Sequence, residues 1–317
     1  MKQPSDGAPH RETGGWPSIS VVVPTRDRPA LLERAVRSIL EQSYAGTIEC
    51  IVVFDQSEPT EIAVPVRDGR TVRVTTNGRT PGLAGARNAG VLEGTGELIG
   101  FCDDDDEWLP GKLVRQVRLL GSHPEAALVA CGVLVNFRGR DVVREAPRRP
   151  VVRRDFLRDR VMEINPCTAL LRRELMLGDI GLVDEQIPGS YAEDYEWLLR
   201  ATAHGPVLSV PEPYVRVNWH PSSFFADRWT TILEALHYLV DRYPEFQQER
   251  RGLARLKGQM AFAESALGHR RRALSLGAQA LRLHPWELRV PVAVLVASGL
   301  VSAETVLKWA HARGRGI

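Results

Sequence analysis

The run FCDDDDEWLP sets five carboxylates side by side, Asp103, Asp104, Asp105, Asp106 and Glu107, directly after a short apolar segment. Adjacent acids repel, by about 4 kcal/mol for two unit charges ~4 Å apart at an effective dielectric of 20. Behind a buried strand they also lose solvation, and in open α/β sheets ligands bind at such strand ends. A divalent cation relieves both effects, and Mg²⁺ or Mn²⁺ suits carboxylates combined with substrate phosphates. The plainer account is a solvated acidic turn capping the helix that opens at Pro110; the place at a strand end beside Trp108 favours the metal. A second acid pair, Glu193-Asp194, opens an apolar helical pattern. Ser190 and Glu193 have capping-box spacing, and both acids suit the positive end of a helix dipole. Asp194 stands apart, because Tyr195, Leu198, Leu199 and Thr202 can form the buried face and leave it at the rim.

Positioning these acids falls to alternating strand and helix signals in the first 135 residues. ISVVVP (19–24), IECIVVFD (48–55), TVRVT (71–75), ELIGFC (97–102) and ALVACGVLV (127–135) read as buried strands. Between them, Asp27 and Pro29 open a helix carrying Leu31, Leu32, Ala35, Val36, Ile39 and Leu40 on one face. GLAGARNAG reads as a small-residue helix packed closely on a sheet, and Pro110 opens a helix with Leu113, Val114, Val117 and Leu120. Strand–helix alternation predicts right-handed βαβ units, an α/β class and a mostly parallel sheet. Residues 137–160 carry nine Arg against four acids. They read as a solvated connection or exposed helix, or as a mobile loop beside a phosphate-bearing ligand. A helix is expected from about Ser190 to His204 and a strand around Val207–Val217. The resulting division is a disordered segment at 1–17, an α/β domain at 18–227 and an all-helical C-terminal domain at 228–317.

Among 317 residues, 44% are hydrophobic and 25% charged, which excludes disordered, collagen-like and disulfide-scaffold classes. Forty-one basic against 39 acidic residues leave a net charge of +2, too balanced for nucleic acid as the main partner. Cys50, Cys102, Cys131 and Cys167 lack paired metal spacing and read as small core hydrophobes. No signal peptide is evident, and the apolar stretch at 290–301 is too short for a bilayer span. A soluble, cytoplasmic protein is expected. In HRRRALSLGAQALRL three adjacent basic side chains precede an apolar face, which fits peripheral contact with the inner face of a membrane, domain packing or a homo-oligomer.

In order and spacing, Pro24 onward, IVVFDQS, GLAGARNAG, FCDDDDEWLPGKL and AEDYEWLLRATAHG resemble family 2 glycosyltransferases of the GT-A fold, over about residues 18–225. The resemblance implies a Rossmann-like sheet flanked by helices. It implies transfer of a sugar from a nucleotide-sugar to an acceptor hydroxyl with inversion at the anomeric carbon. The family's Asp-x-Asp metal motif falls on Asp103 and Asp105, with Mn²⁺ or Mg²⁺ as the expected cofactor. His220, in RVNWHPSS, holds the place of a histidine that touches metal or diphosphate; as a lone His before proline it is equally a loop residue. The nucleotide is implied to lie beside Pro24, Thr25, Arg26 and Asp104. Asp55 is implied to meet the base edge, where a carboxylate accepts the imide N–H of uracil, so a UDP-sugar is the expected donor. The usual Asp-Asp-Gly-Ser turn here reads Phe54-Asp55-Gln56-Ser57, a departure at two positions. Arg87 and Asn88 are implied to lie along the donor, although Arg87 also fits an exposed surface pair. The family's Glu-Asp motif falls on Glu193 and Asp194, with Asp194 as general base. Asn165, Pro166, Cys167 and Thr168 are placed on the acceptor side by order alone.

Two other functions fit the same elements less well. A sugar-nucleotide nucleotidyltransferase needs a Gly-rich phosphate loop after the first strand, and Thr25-Arg26-Asp27-Arg28-Pro29 does not supply one. A non-catalytic nucleotide-sugar binding protein has no need of intact acids at both sites.

Overall fold

The computed structural model describes residues 15–137, 139–219 and 228–312. The chain runs β1 (Ile19–Thr25), α1 (Pro29–Leu40), β2 (Ile48–Phe54), β3 (Arg70–Thr76), α2 (Leu83–Glu93) and β4 (Leu98–Phe101). It continues through β5 (Glu107–Trp108), α3 (Lys112–Ser122), β6 (Leu128–Phe137), β7 (Arg140–Arg144), α4 (Arg153–Arg158), β8 (Leu170–Arg172) and α5 (Arg173–Leu177). Then follow α6 (Glu193–Ala201), β9 (Val207–Trp219), α7 (Trp229–Arg242), α8 (Arg250–Ala266), α9 (Arg270–Leu283), α10 (Arg289–Ala297) and α11 (Ala303–Ala312).

Among the described residues, one nine-stranded sheet has the order β3-β2-β1-β4-β8-β6-β9-β5, with β7 paired to β6. The strands β1, β2, β3, β4, β6 and β9 run parallel, and β5, β7 and β8 run against them, so the sheet is mostly parallel as expected. Successive strand residues face opposite sides. Val21 and Val23 join a core with α1 and α3, while Val22, Ile51, Ile99 and Phe101 join a second core with α2 and α6. Gly90 lets α2 lie against β1, since a Cβ there would come within 2.3 Å of Val22.

Several local expectations change. Residues 137–160 are not a loose connection: β7 extends the sheet and α4 packs Phe156 and Leu157 into the core. Charge dominated the composition there and hid these few apolar residues. Within the segment expected to be disordered, Trp16 packs edge-on against Tyr44, whose hydroxyl donates to the Pro17 carbonyl; residues 1–14 lie outside the described residues. Asp27 does not cap α1: Arg28 holds that position, and Asp27 itself adopts φ 54°. The helix expected from Pro110 starts at Lys112.

The C-terminal region is helical throughout the described residues, but its first helices share the core of the sheet. Ile232, Leu236 and Leu239 of α7 and Leu253, Leu256 and Met260 of α8 are buried with Tyr195 and Trp197 of α6. A small third core ties α8 to α10 and α11 through Phe262, Ala293, Val296 and Val306. No helix among the described residues is long and apolar enough to cross a membrane.

Candidate active site

The carboxyl ends of β1, β2 and β4 lie side by side, because these strands are neighbours and parallel. After β4 the chain turns sharply, the Asp106 amide donating to the Asp103 carbonyl at 3.1 Å. A turn closed in this way brings residues i and i+3 together. Oxygens of Asp103 and Asp106 and the sulfur of Cys167 therefore all lie within 4.8 Å of one another. The expected Asp103–Asp105 pair is not the one whose ligand atoms this turn groups together. Asp105 instead accepts from Arg28 at 2.9 Å. Asp104 is buried and accepts from the Thr25 hydroxyl at 2.8 Å, which ties the ends of β1 and β4. Burial pushes its carboxyl up to about 6.

Asp106 is also buried, and the Asn218 amide of β9 donates to it at 3.1 Å. Burial, then the charges of Asp103 and Asp105, push its carboxyl well above the ordinary range. Charging both acids of the pair is costly without a cation, and their oxygens are the hard donors that Mg²⁺ and Mn²⁺ take. The Cys167 thiol is pushed up by burial and by the same acids, so it stays neutral and offers little to a softer metal. The donor set therefore fits the cation expected from the sequence. His220 lies outside the described residues, so its ligand role is not placed. Cys167, expected on the acceptor side, lies against Asp103 and Asp106.

Arg87 connects this acidic turn to the second acid pair. Carried on α2, it is buried, donates to Asp103 at 2.8 Å and contacts Glu193 even more closely. It is neither an exposed surface pair nor open to solvent. Burial pushes the Glu193 carboxyl up to about 7 against the pull of Arg87. The capping box expected from Ser190 and Glu193 does not form. Ser190 and Ala192 adopt φ 57° and 62°, and Ala192, with no capping side chain, precedes the first helical residue. Asp194, mostly buried at the rim of α6, accepts from Arg160, a residue of the Arg-rich stretch, and from the Tyr195 amide at 2.7 Å.

The remaining expected contacts divide. Pro24, one residue before the end of β1, is in register with Val53, and Arg26 is exposed beside Asp27. Asp55, at the end of β2, is buried and accepts from Asn77 at 2.7 Å, the Gly82 amide at 3.1 Å and Gln56 at 3.0 Å. A carboxylate has roughly four acceptor positions, so a base edge would compete with these bonds. Asn88 faces residues 183–185: its side-chain amide donates to the Val183 carbonyl at 2.8 Å and to Glu185 at 2.6 Å, and its oxygen accepts from the Val183 amide. Sequence reasoning missed Arg28, Arg160 and Asn218, each of which lies close in sequence to a recognised motif but reaches its acid only through tertiary folding. The non-glycine residues with positive φ, Asp27, Gln56, Ser190 and Ala192, all lie in loops around these acids. Such strain concentrates at functional sites.

A family model described as glycosyl transferase family 2 matches residues 20–178. The chain belongs to this family. Similar relatives include the Escherichia coli UDP-Glc:alpha-D-GlcNAc-diphosphoundecaprenol beta-1,3-glucosyltransferase WfgD, 28% identical over 102 residues. That match takes in 32% of this chain and only 40% of WfgD. Among solved structures, S. aureus TarS 1-349 in complex with UDP-GlcNAc superposes with a TM-score of 0.60 at 16% identity, over 94% of this chain and 92% of the other. The mannosyltransferase PcManGT from Pyrobaculum calidifontis, in complex with GDP-Man and Mn²⁺, gives 0.54 at 18% identity, over 97% and 91%. Both likenesses bear on the fold, which is that of GT-A glycosyltransferases.

Proposed function

We propose that the protein is an inverting glycosyltransferase that moves a sugar from a nucleotide-sugar, a UDP-sugar by preference, to an acceptor hydroxyl with the help of Mn²⁺ or Mg²⁺. One observation carries the reading: the buried Arg87 bridge, which sets the Glu193-Asp194 start of α6 against the Asp103 turn. Leaving-group chemistry and proton removal need such adjacent but separate carboxylates.

Inverting transfer is a single in-line displacement: the acceptor oxygen bonds to the anomeric carbon as the diphosphate departs, and the hydroxyl proton must go to a base. Asp194 is that base, with Arg160 and the Tyr195 amide fixing its carboxylate. Asp103 and Asp106 would hold the cation, with Asp105 and Asn218 bracing the turn. When bound, the cation supplies Lewis-acid stabilisation of the departing diphosphate. Arg87 fixes Asp103 and Glu193 relative to each other. Thr25 and Asp104 hold the end of β1 where the nucleotide is read, and Asp55 and Gly82 frame the base side. The name of the relative WfgD specifies a diphosphoundecaprenol-linked sugar acceptor, which supports a lipid-linked acceptor here.

Incubation with a panel of UDP-, GDP- and dTDP-sugars, with and without Mn²⁺ or Mg²⁺, tests the reading. Metal-dependent release of UDP is expected, and an α-linked donor should yield a β-linked product by NMR of the anomeric proton. Diphosphate release from none of the donors, or retention of configuration, would overturn it.

A further inference from the structure

α10 reads RVPVAVLVA, apolar on every side, a composition suited to a helix covered all round. Only one side is covered. Val290, Ala293, Val296 and Ala297 are buried, whereas Leu288, Pro291, Val294 and Leu295 recur at the spacing of the opposite side and are exposed. Trp286 and Leu288, 80% and 73% exposed, flank the first turn, and Leu300, 75% exposed, follows the last. A patch of this kind on a water-soluble surface calls for an occupant.

Charge indicates which one. Residues 268–312 carry six Arg and Lys against two Glu, although the whole chain is only +2. Arg270 and Arg271 are exposed at the start of α9, and the Arg270 guanidinium lies against Gly299 at the end of α10. Of the two acids, Glu287 is buried beneath Arg289, which donates to it at 2.9 Å. A second copy of the chain meeting this face would bring two cationic surfaces together. An anionic bilayer instead offers headgroup charge to the arginines and an interfacial layer to the tryptophan and the aliphatic side chains.

We propose that the exposed side of α10, with Trp286, Leu288 and Leu300, docks on the surface of an anionic lipid bilayer, the arginines of α9 meeting the headgroups. The helix lies along the surface, since its nine residues are too few to cross it. This goes beyond the transferase reading and does not depend on it, because the test uses no donor.

Co-sedimentation of the full chain with phosphatidylcholine vesicles, with or without about 30% phosphatidylglycerol, reads the docking directly. The protein is expected to pellet with the anionic vesicles and to be released by high salt. Leu288→Glu/Leu295→Glu and Arg270→Glu/Arg271→Glu should each weaken binding roughly ten-fold or more, with unchanged circular dichroism because every altered side chain is exposed. Wild-type protein left in the supernatant with both vesicle types would overturn the proposal, as would variants that bind like wild type. A dimer by size exclusion that the Leu288→Glu/Leu295→Glu change converts to monomer, with vesicle binding intact, would reject it in favour of self-association.

Discussion

Replacing Arg87 by methionine keeps most of the side-chain bulk and removes its charge. The guanidinium is buried between Asp103 and Glu193, and breaking a buried ion pair by removing one partner costs about 3–5 kcal/mol. Asp103 is about a third exposed, so water screens its share, and the weight falls on the buried Glu193. Burial holds that carboxyl at about 7 even with Arg87 present, and losing Arg87 raises it further. A carboxyl raised above its unfolded value of 4.5 favours the folded state fully below 4.5 and loses that contribution as pH climbs through the folded value. Near pH 6 Glu193 is protonated in both proteins, so the substitution should cost only about 1 kcal/mol, from Asp103. Near pH 8.5 the native Glu193 is ionised and paired, while the variant must bury a lone charge or take a proton from solution, for a total of about 3 kcal/mol. Urea unfolding of both proteins at the two pH values measures the difference. A loss that is the same at both, or below about 1 kcal/mol at the higher pH, would refute the account of Arg87 as the charge that holds the two acids together.

Asp194→Asn should lower kcat by about 10²–10⁴ while leaving nucleotide affinity by calorimetry unchanged; near-normal turnover would remove the base assignment. Asp106→Asn should weaken Mn²⁺-dependent nucleotide binding at least as much as Asp105→Asn, because Asp106 and not Asp105 faces Asp103; the reverse order in the same calorimetric experiment would restore the i, i+2 pair. Lys112 is wholly buried, its ammonium 3.8 Å from the Trp108 ring centroid, and burial lowers it from 10.5 to about 8. Its charging therefore costs stability that is fully present above 10.5 and lost as pH falls through 8, so Lys112→Met should gain about 1–3 kcal/mol in urea unfolding near pH 7 and less near pH 10. Tyr243→Phe removes a hydroxyl that donates to the fully buried Glu196 on α6 and should cost about 1–3 kcal/mol; an unchanged unfolding midpoint would show that Arg200 satisfies Glu196 alone.

The six parallel strands were legible because β-branched runs such as Val21–Val23 and Ile51–Val53 are short, continuous and separated by helical periods, whereas the short antiparallel β5, β7 and β8 were not. The acids were legible as types but not as partners. Four aspartates in a row look alike in sequence, and only the bond from the Asp106 amide to the Asp103 carbonyl decides which two share a face. Arg87 and Asn88 are adjacent polar residues in a run of small ones, yet the first faces the acids and the second faces residues 183–185. Helical rotation of about 100° between neighbours separates their roles. The capping box at Ser190 failed because the loop enters α6 through left-handed conformations, which no spacing rule registers. The sequence marked residues 228–317 as helical, but not which core their helices would join.

That shared core explains how a helix start crowded with acids is held in place without a capping side chain. α6 opens on Glu193, Asp194 and Glu196, and each is held by a cation from a different element: Arg87 of α2, Arg160 after α4, and Arg200 one turn along α6 itself. The C-terminal helices add neutral and charged donors to the same helix, Tyr243 to Glu196 and Arg255 of α8 to the Tyr195 hydroxyl at 2.9 Å. Tyr195 in turn donates to the Phe156 carbonyl of α4. Moving α8 would therefore pull on the residue next to Asp194. The helical region therefore helps to fix the start of α6, and α10 packs on the same α8 that makes this contact.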